Sequence, residues 1–231
     1  MTKPSAKELL KHLETGISSG WDAKHLKSKR VYSLFELYVF KTVIEAVIEA
    51  GALHGYKPQV IYKDQNGDEV SPIMLQTGPH TLNTYGYVYA EIRFPGSRKR
   101  AIEIHCGVKY KGRSEVVHEC DVSILGRTEA EKRRHDGDPS QYNKLMLSIE
   151  CKFYASTIEL AMMRGFRGLI DDIGTSHNKQ IFVTSANIRS SGKVLVEYKK
   201  QSSVDQFVPT NIKAIKQFKL TVICRVYGFL S

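Results

Sequence analysis

The apolar pattern of this chain changes period near Tyr154, and that change limits what the chain can fold into. Before it, Gly86 to Phe94, Ala101 to Tyr110, Val116 to Leu125 and Leu145 to Tyr154 are short apolar runs that read as strands. The first two flank the turn Pro95-Gly96-Ser97, which predicts a hairpin with Arg98, Lys99 and Arg100 at its tip. After it, Ile158, Met162, Phe166, Leu169, Ile170 and Ile173 recur at helical spacing. A helix is therefore expected over about 157–173, ending before Gly174, and Gln180 to Ser185 returns to strand. Antiparallel strands followed by strand, helix and strand predict an α/β fold, a central mixed β-sheet flanked by helices.

The remaining segments are assigned with less local information. Residues 1–30 form a basic lead-in containing a short helix at about Ala6 to Glu14. Val31 to Ala50 carries a long helical pattern, with Gly51 where a left-handed cap is expected. Gly126 to Asn143 is charged and bracketed by Gly and Pro, so 126–143 is expected to be an exposed insertion loop. Ser191 to Lys199 fits either helix or strand, and Asn211 to Leu230 is apolar-periodic without a decided type. No repeat or Pro/Gly/Ser linker divides the chain, so residues 1–231 are read as a single domain.

Charge narrows the partners. Thirty-four Lys and Arg against 24 Asp and Glu give a net charge of +10, which favours a polyanion. The basic residues Arg98, Lys99, Arg100, Lys132, Arg133, Arg134, Arg164 and Arg167 flank the segments that carry the candidate chemistry, and are the expected nucleic-acid contacts. Cys106, Cys120, Cys151 and Cys224 lie far apart with no CxxC pair, as in a reduced interior. The first residues lack a signal-peptide core, and no run approaches the roughly 18 apolar residues of a membrane span. A cytoplasmic protein with no membrane partner is the expectation.

The candidate chemistry lies in the strand-like runs. Segment 145–154 reads Leu-Met-Leu-Ser-Ile-Glu-Cys-Lys-Phe-Tyr. Positions i and i+2 of a strand share a face, so Glu150 and Lys152 stand side by side in the most apolar part of the chain. Either they are a pair on the solvated face of an edge strand, or a partner or metal compensates their burial. Asp121 precedes the apolar run Val122-Ser123-Ile124-Leu125, although strands tolerate Asp poorly. Glu119, two residues back, would share its face and competes for its role. Such acids beside Glu-x-Lys supply what a hard cation needs, anionic oxygens with positions left for water and phosphate. On the helix over 31–50, at about 100° per residue, Glu36 shares its stripe with Phe40, Val43 and Val47, while Glu45 and Glu49 fall on the far side. Glu36 is thus either a buried acid paired with a core Arg or Tyr, or a further member of the site.

In that order, a helix bearing Glu36, a hairpin, Glu-Cys-Asp-Val-Ser-Ile-Leu around Asp121, Ser-Ile-Glu-Cys-Lys-Phe at 148–153, then a helix and a strand resemble the PD-(D/E)xK nuclease superfamily. The resemblance spans 31 to about 186. Cys120 stands where Pro commonly precedes the aspartate, and the long step from Asp121 to Glu150 implies an insertion. The resemblance implies a restriction-endonuclease-like core and a Mg²⁺-dependent DNA endonuclease, in a setting such as restriction or phage defence. Asp121 and Glu150 would bind Mg²⁺, with Mn²⁺ as a substitute, Lys152 would handle the attacking water, and Glu36 would support the metal or a second ion. A homodimer is the simplest way to cut both strands of a duplex. Two other readings stay open: a non-catalytic nucleic-acid-binding module of the same fold, and a metal-dependent nuclease acting on RNA.

Three further features are weighed against these. His105, Cys106, His118 and Cys120 offer imidazoles and thiols, but their spacing fits no familiar zinc site and His105 and Cys106 would face opposite ways. Gly165 and Gly168 lie within the 157–173 helix, where glycine costs up to about 1 kcal/mol each. A close approach to the sheet is the favoured explanation, and an approach to a nucleic-acid backbone the other. Tyr85, Tyr87 and Tyr89 alternate as a strand face would, so core or interface packing is the favoured reading and base stacking the other.

Overall fold

Ile102 pairs with Ile92 and Ile104 with Ala90, so the two runs around Pro95-Gly96 form the antiparallel pair β2 (Val88–Arg93) and β3 (Ile102–Lys111). The computed structural model describes residues 4–16, 20–97, 101–137, 140–141, 144–173, 179–199 and 201–231. The basic tip expected at Arg98, Lys99 and Arg100 lies outside these described residues. β1 (Gln59–Asp64) joins the far edge of β2, and β4 (Val117–Gly126) runs antiparallel to β3. β6 (Leu147–Lys152) is antiparallel to β4, whereas β7 (Gln180–Thr184) and β8 (Ser202–Val204) add in parallel. The sheet order is β1-β2-β3-β4-β6-β7-β8, with the two-residue β5 (Ser140–Gln141) pairing with β3 off that path. This is the mixed sheet that the change of period predicts.

Helices cover both faces. On one face α3 (Val31–Leu53) lies over the sheet, under α1 (Ala6–Leu13) and beside α7 (Ile212–Leu230). Phe35, Phe40, Ile44 and Val47 of α3 meet Ile102, Ile104, Ile124, Ile149 and Ile181 in the largest core. α3 is buried almost all round, which follows from its place between the sheet and two other helices. Short α2 (Ala23–Ser28) leads into it. On the other face α5 (Leu160–Ile173) and α6 (Ser190–Tyr198) close over Phe182, while α4 (Arg127–Asp136) sits with Tyr87, Tyr89 and Tyr110. Residues 190–198 and 212–230 are thus both helices. Tyr87 and Tyr89 are core as expected, but Tyr85 is exposed.

Two expectations need correction. The 126–143 segment is not simply a loop: α4 runs over Arg127–Asp136, and Gly137, at φ 73°, is its left-handed cap. A ten-residue helix with only Ala130 buried holds because Arg127–Glu131 and Glu129–Arg133 pair one turn apart. Arg134 then anchors it to fully buried Glu103 through hydrogen bonds of 2.5 and 2.8 Å. Nor does Gly51 cap α3, which runs on to Leu53. A Cβ at 51 would lie 2.5 Å from Pro58 Cγ and 2.9 Å from Phe94 Cε1, so the glycine admits neighbouring side chains. Glu45 and Glu49 keep the far side of α3, Glu49 exposed and Glu45 half-buried, and both bind Lys219 of α7, at 3.1 and 2.6 Å.

Candidate active site

The sheet reverses its facing at one point, and Asp121 stands there. Ile102, Ile104 and Cys106 of β3 and Val122 and Ile124 of β4 turn toward α3. One step on, Val108, Tyr110 and Cys120 turn to the opposite face. Strict alternation cannot give both, because Cys106 and Val108 share a parity. Gly107, at φ 69°, lies between the paired Cys106↔Val122 and Val108↔Cys120, opposite Asp121, and a Cβ there would collide with the Gly78 carbonyl. The β4/β6 ladder runs through Ile124↔Leu147, Ser123↔Ser148 and Val122↔Ile149 and goes no further. The next inward amide, Cys151 N–H, donates instead to Asp121 Oδ2 at 2.6 Å. This answers why an aspartate is tolerated in an apolar strand: its carboxylate closes the ladder where the strands part.

Glu150 and Lys152 share the α5 face of β6, as the period of two requires, and Lys152 Nζ lies 2.5 Å from Glu150 Oε1. Both reach solvent, with 16% and 30% of their side chains exposed. Asp121 feels Glu150, Lys152 and Glu36, so the structure gathers all four predicted residues into one electrostatic group. Burial and the Glu150 carboxylate push Asp121 well above the ordinary carboxylate range, against the pull of the Lys152 ammonium. Burial and Glu119 raise Glu36 to about 7. Glu119 is itself raised by burial and Glu150. The residue weighed as Asp121's rival is therefore a fifth member. Burial works against the Lys152 charge, but Glu150 and Asp121 overcome it and hold the ammonium above its usual range. Lys29, at the end of α2, also faces Glu36, and burial lowers it. Nothing in the local pattern at 24–30 singles out Lys29, because only the path of the chain into α3 brings it there.

The donor chemistry suits a hard cation: Asp121 and Glu150 offer oxygens, and acids crowded enough to bind protons tightly would be relieved by positive charge. Among the described residues no group of three or more His, Cys, Asp or Glu side chains stands assembled to hold a metal ion. The zinc alternative has no geometry to support it. His105 Nδ1 bonds the Tyr87 hydroxyl at 2.7 Å, Cys106 lies in the α3 core, His118 holds Asp172 at 2.6 Å and Cys120 accepts from Ser148 Oγ.

The basic residues divide. Arg164 is exposed on α5, the helix that faces Glu150 and Lys152, and Arg167 there pairs with Asp171 at 2.5 Å. Lys132, Arg133 and Arg134 ride on α4, which starts at the Gly126 end of β4, away from Asp121. Lys132 is exposed there, Arg133 is bound to Glu129, and Arg134 is committed to Glu103. Among the described residues no helix is long and apolar enough to cross a membrane. The glycines of α5 also depart from expectation: a Cβ at Gly165 or Gly168 would meet no atom within 4 Å, so neither serves close packing on the sheet. Comparison of the chain with known protein families, with curated proteins and with solved structures finds no match.

Proposed function

We propose that the chain is a Mg²⁺-dependent endonuclease that hydrolyses phosphodiester bonds in DNA, built on a restriction-endonuclease-like core. The observation that carries this reading is the meeting of Asp121, Glu150 and Lys152 at the point where β4 and β6 part, with Glu36 behind them. A surplus of carboxylates over ammonium groups is costly in an apolar setting and suits a site that handles a cation and a phosphate. Asp121 and Glu150 would hold Mg²⁺, which when bound supplies positive charge against the phosphate and makes water more acidic.

The other roles belong to the chain itself. Lys152, held charged by Glu150 and Asp121, is a poor base at neutral pH. Its ammonium instead orients the nucleophile and stabilises charge growing on the phosphate oxygens. Glu36, raised to about 7, is the member best matched to exchange a proton near neutrality. Arg164 on α5 supports the DNA backbone. Cutting both strands would use two copies of the chain in a homodimer, and restriction or phage defence is a setting such an enzyme suits.

Purified protein should nick or linearise supercoiled plasmid with Mg²⁺ and not with EDTA. Asp121→Ala, Glu150→Ala and Lys152→Ala should each abolish cutting and keep DNA binding. Binding without cutting under every divalent metal would instead make the chain a non-catalytic module, and cutting of RNA alone would move the substrate class.

A further inference from the structure

Glu91 of β2 and Glu103 of β3 stand opposite each other, both buried, with four cations around them. Lys63 Nζ lies 3.3 Å and Arg127 Nε 3.5 Å from Glu91 Oε2, while Arg93 Nε bonds Glu91 Oε1 at 2.5 Å. Arg134 takes Glu103, and Arg127 Nε also bonds Glu131 Oε1 at 2.6 Å. Four cations thus meet three carboxylates, which leaves one positive charge in excess.

A cavity of about 400 Å³ opens beside this cluster, and Lys63, Gln65, Tyr89, Arg127, Glu131 and Arg134 are in its lining. Its donors outnumber their uses. Lys63 spends one contact on Glu91, and Arg127 spends only Nε, so among the described residues its terminal nitrogens make no bond. Gln65 gives Oε1 to the Gly86 N–H at 2.9 Å, which leaves its NH₂ end to donate. Tyr89 is the strongest sign. It is 1% exposed, with the Arg134 guanidinium 4.6 Å from its ring centre, yet among the described residues its hydroxyl makes no hydrogen bond. A buried tyrosine hydroxyl usually has a partner. Burial and the Glu103 carboxylate push this one up, so it stays protonated and able to donate.

We propose that this cavity binds the phosphate group of a small phosphate monoester, at a site separate from Asp121, Glu150 and Lys152. The inference goes beyond the nuclease reading and does not depend on it. An excess of positive charge and of N–H and O–H donors selects an anion rich in acceptor oxygens, and a phosphate monoester brings three of them. The donors come from β1, β2 and α4, a spread that a tetrahedral group uses more fully than a planar carboxylate. Glu131 is the one carboxylate in the lining, and Arg127 already holds it. The volume lies in the range of small-ligand sites, roughly 300–1,000 Å³, so a free ester fits better than the end of a nucleic-acid strand.

The test titrates the whole chain with inorganic phosphate at constant ionic strength, with acetate as the planar control, read by calorimetry and by shifts of the tyrosine ring resonances. Wild type should bind phosphate with a Kd of about 1 mM or tighter, a modest demand for so small a ligand, and acetate more weakly. Tyr89→Phe removes a hydroxyl that no described protein group uses. It should melt with wild type in chloride and bind phosphate about tenfold more weakly, the worth of one hydrogen bond to a charged group. Glu131→Gln should tighten binding, and Lys152→Ala should bind as wild type does. Ribose 5-phosphate should bind at least as tightly as inorganic phosphate and more tightly than a 5′-phosphorylated oligonucleotide. Phosphate binding no better than acetate, unchanged affinity in Tyr89→Phe, or loss of binding in Lys152→Ala overturns the proposal. Preference for the oligonucleotide overturns the small-molecule assignment.

Discussion

Asp121 Oδ2 accepts the Cys151 N–H at 2.6 Å, so the carboxylate that ends the β4/β6 ladder is also the one that faces Glu150 and Lys152. The two duties separate by substitution. Asp121→Asn keeps an acceptor for Cys151 and removes a charge that burial and Glu150 both oppose. It should unfold at an equal or higher urea concentration than wild type at pH 7 and fail to cut DNA. Asp121→Ala leaves a buried N–H without its partner and should lose about 1–3 kcal/mol. Normal plasmid cutting by Asp121→Asn would remove this residue from the chemistry.

Glu36 sets a pH dependence. Its folded value, about 7, lies above the ordinary 4.5, so between those values the native state holds more protons than the unfolded chain. The stability it contributes is complete below about pH 4.5 and declines as pH rises toward and through 7. At about 1.4 kcal/mol per pH unit, the loss has a ceiling of about 3 kcal/mol. Glu36→Gln should flatten this part of the stability profile and unfold later than wild type at pH 8. Urea denaturation across pH 4–8 reads the effect directly, and parallel profiles for the two proteins would contradict it.

Arg134 and Arg164 should behave oppositely although both read as basic surface residues in the sequence. Arg134→Ala strands the Glu103 carboxylate, which is fully buried, and should cost about 3–5 kcal/mol, seen as a large fall in melting temperature. Arg164→Ala touches an exposed side chain and should leave melting unchanged. It should weaken binding uniformly across DNA sequences, and the slope of log affinity against log salt should fall by about one.

Gly51 and Gly165 form a second contrasting pair, both being helix glycines. Gly51→Ala drives a methyl group to within 3 Å of Pro58 and Phe94, and overpacking of this kind should destabilise by about 1–3 kcal/mol. Gly165→Ala meets nothing within 4 Å and should stabilise by about 0.5–1 kcal/mol. Thermal unfolding of the two variants with wild type is sufficient, and a destabilised Gly165→Ala would show that neighbours crowd this face of α5.

Local periodicity carried much of this protein. A period of two put Glu150 and Lys152 on one face of β6, and a period of 3.6 drew α5, because both depend only on neighbours along the chain. Tertiary structure decided the rest. The reversal at Gly107 and Asp121 breaks the period that would have linked Asp121 with Glu119, and it arises from a backbone approach to Gly78, far off in sequence. α4 has no apolar stripe to announce it, and its anchor is an ion pair with a glutamate on β3. Whether a glycine is pressed by neighbours, as at Gly51, or faces open space, as at Gly165, depends on side chains brought in from distant segments. A sequence window contains no such distances, and only the packed chain supplies them.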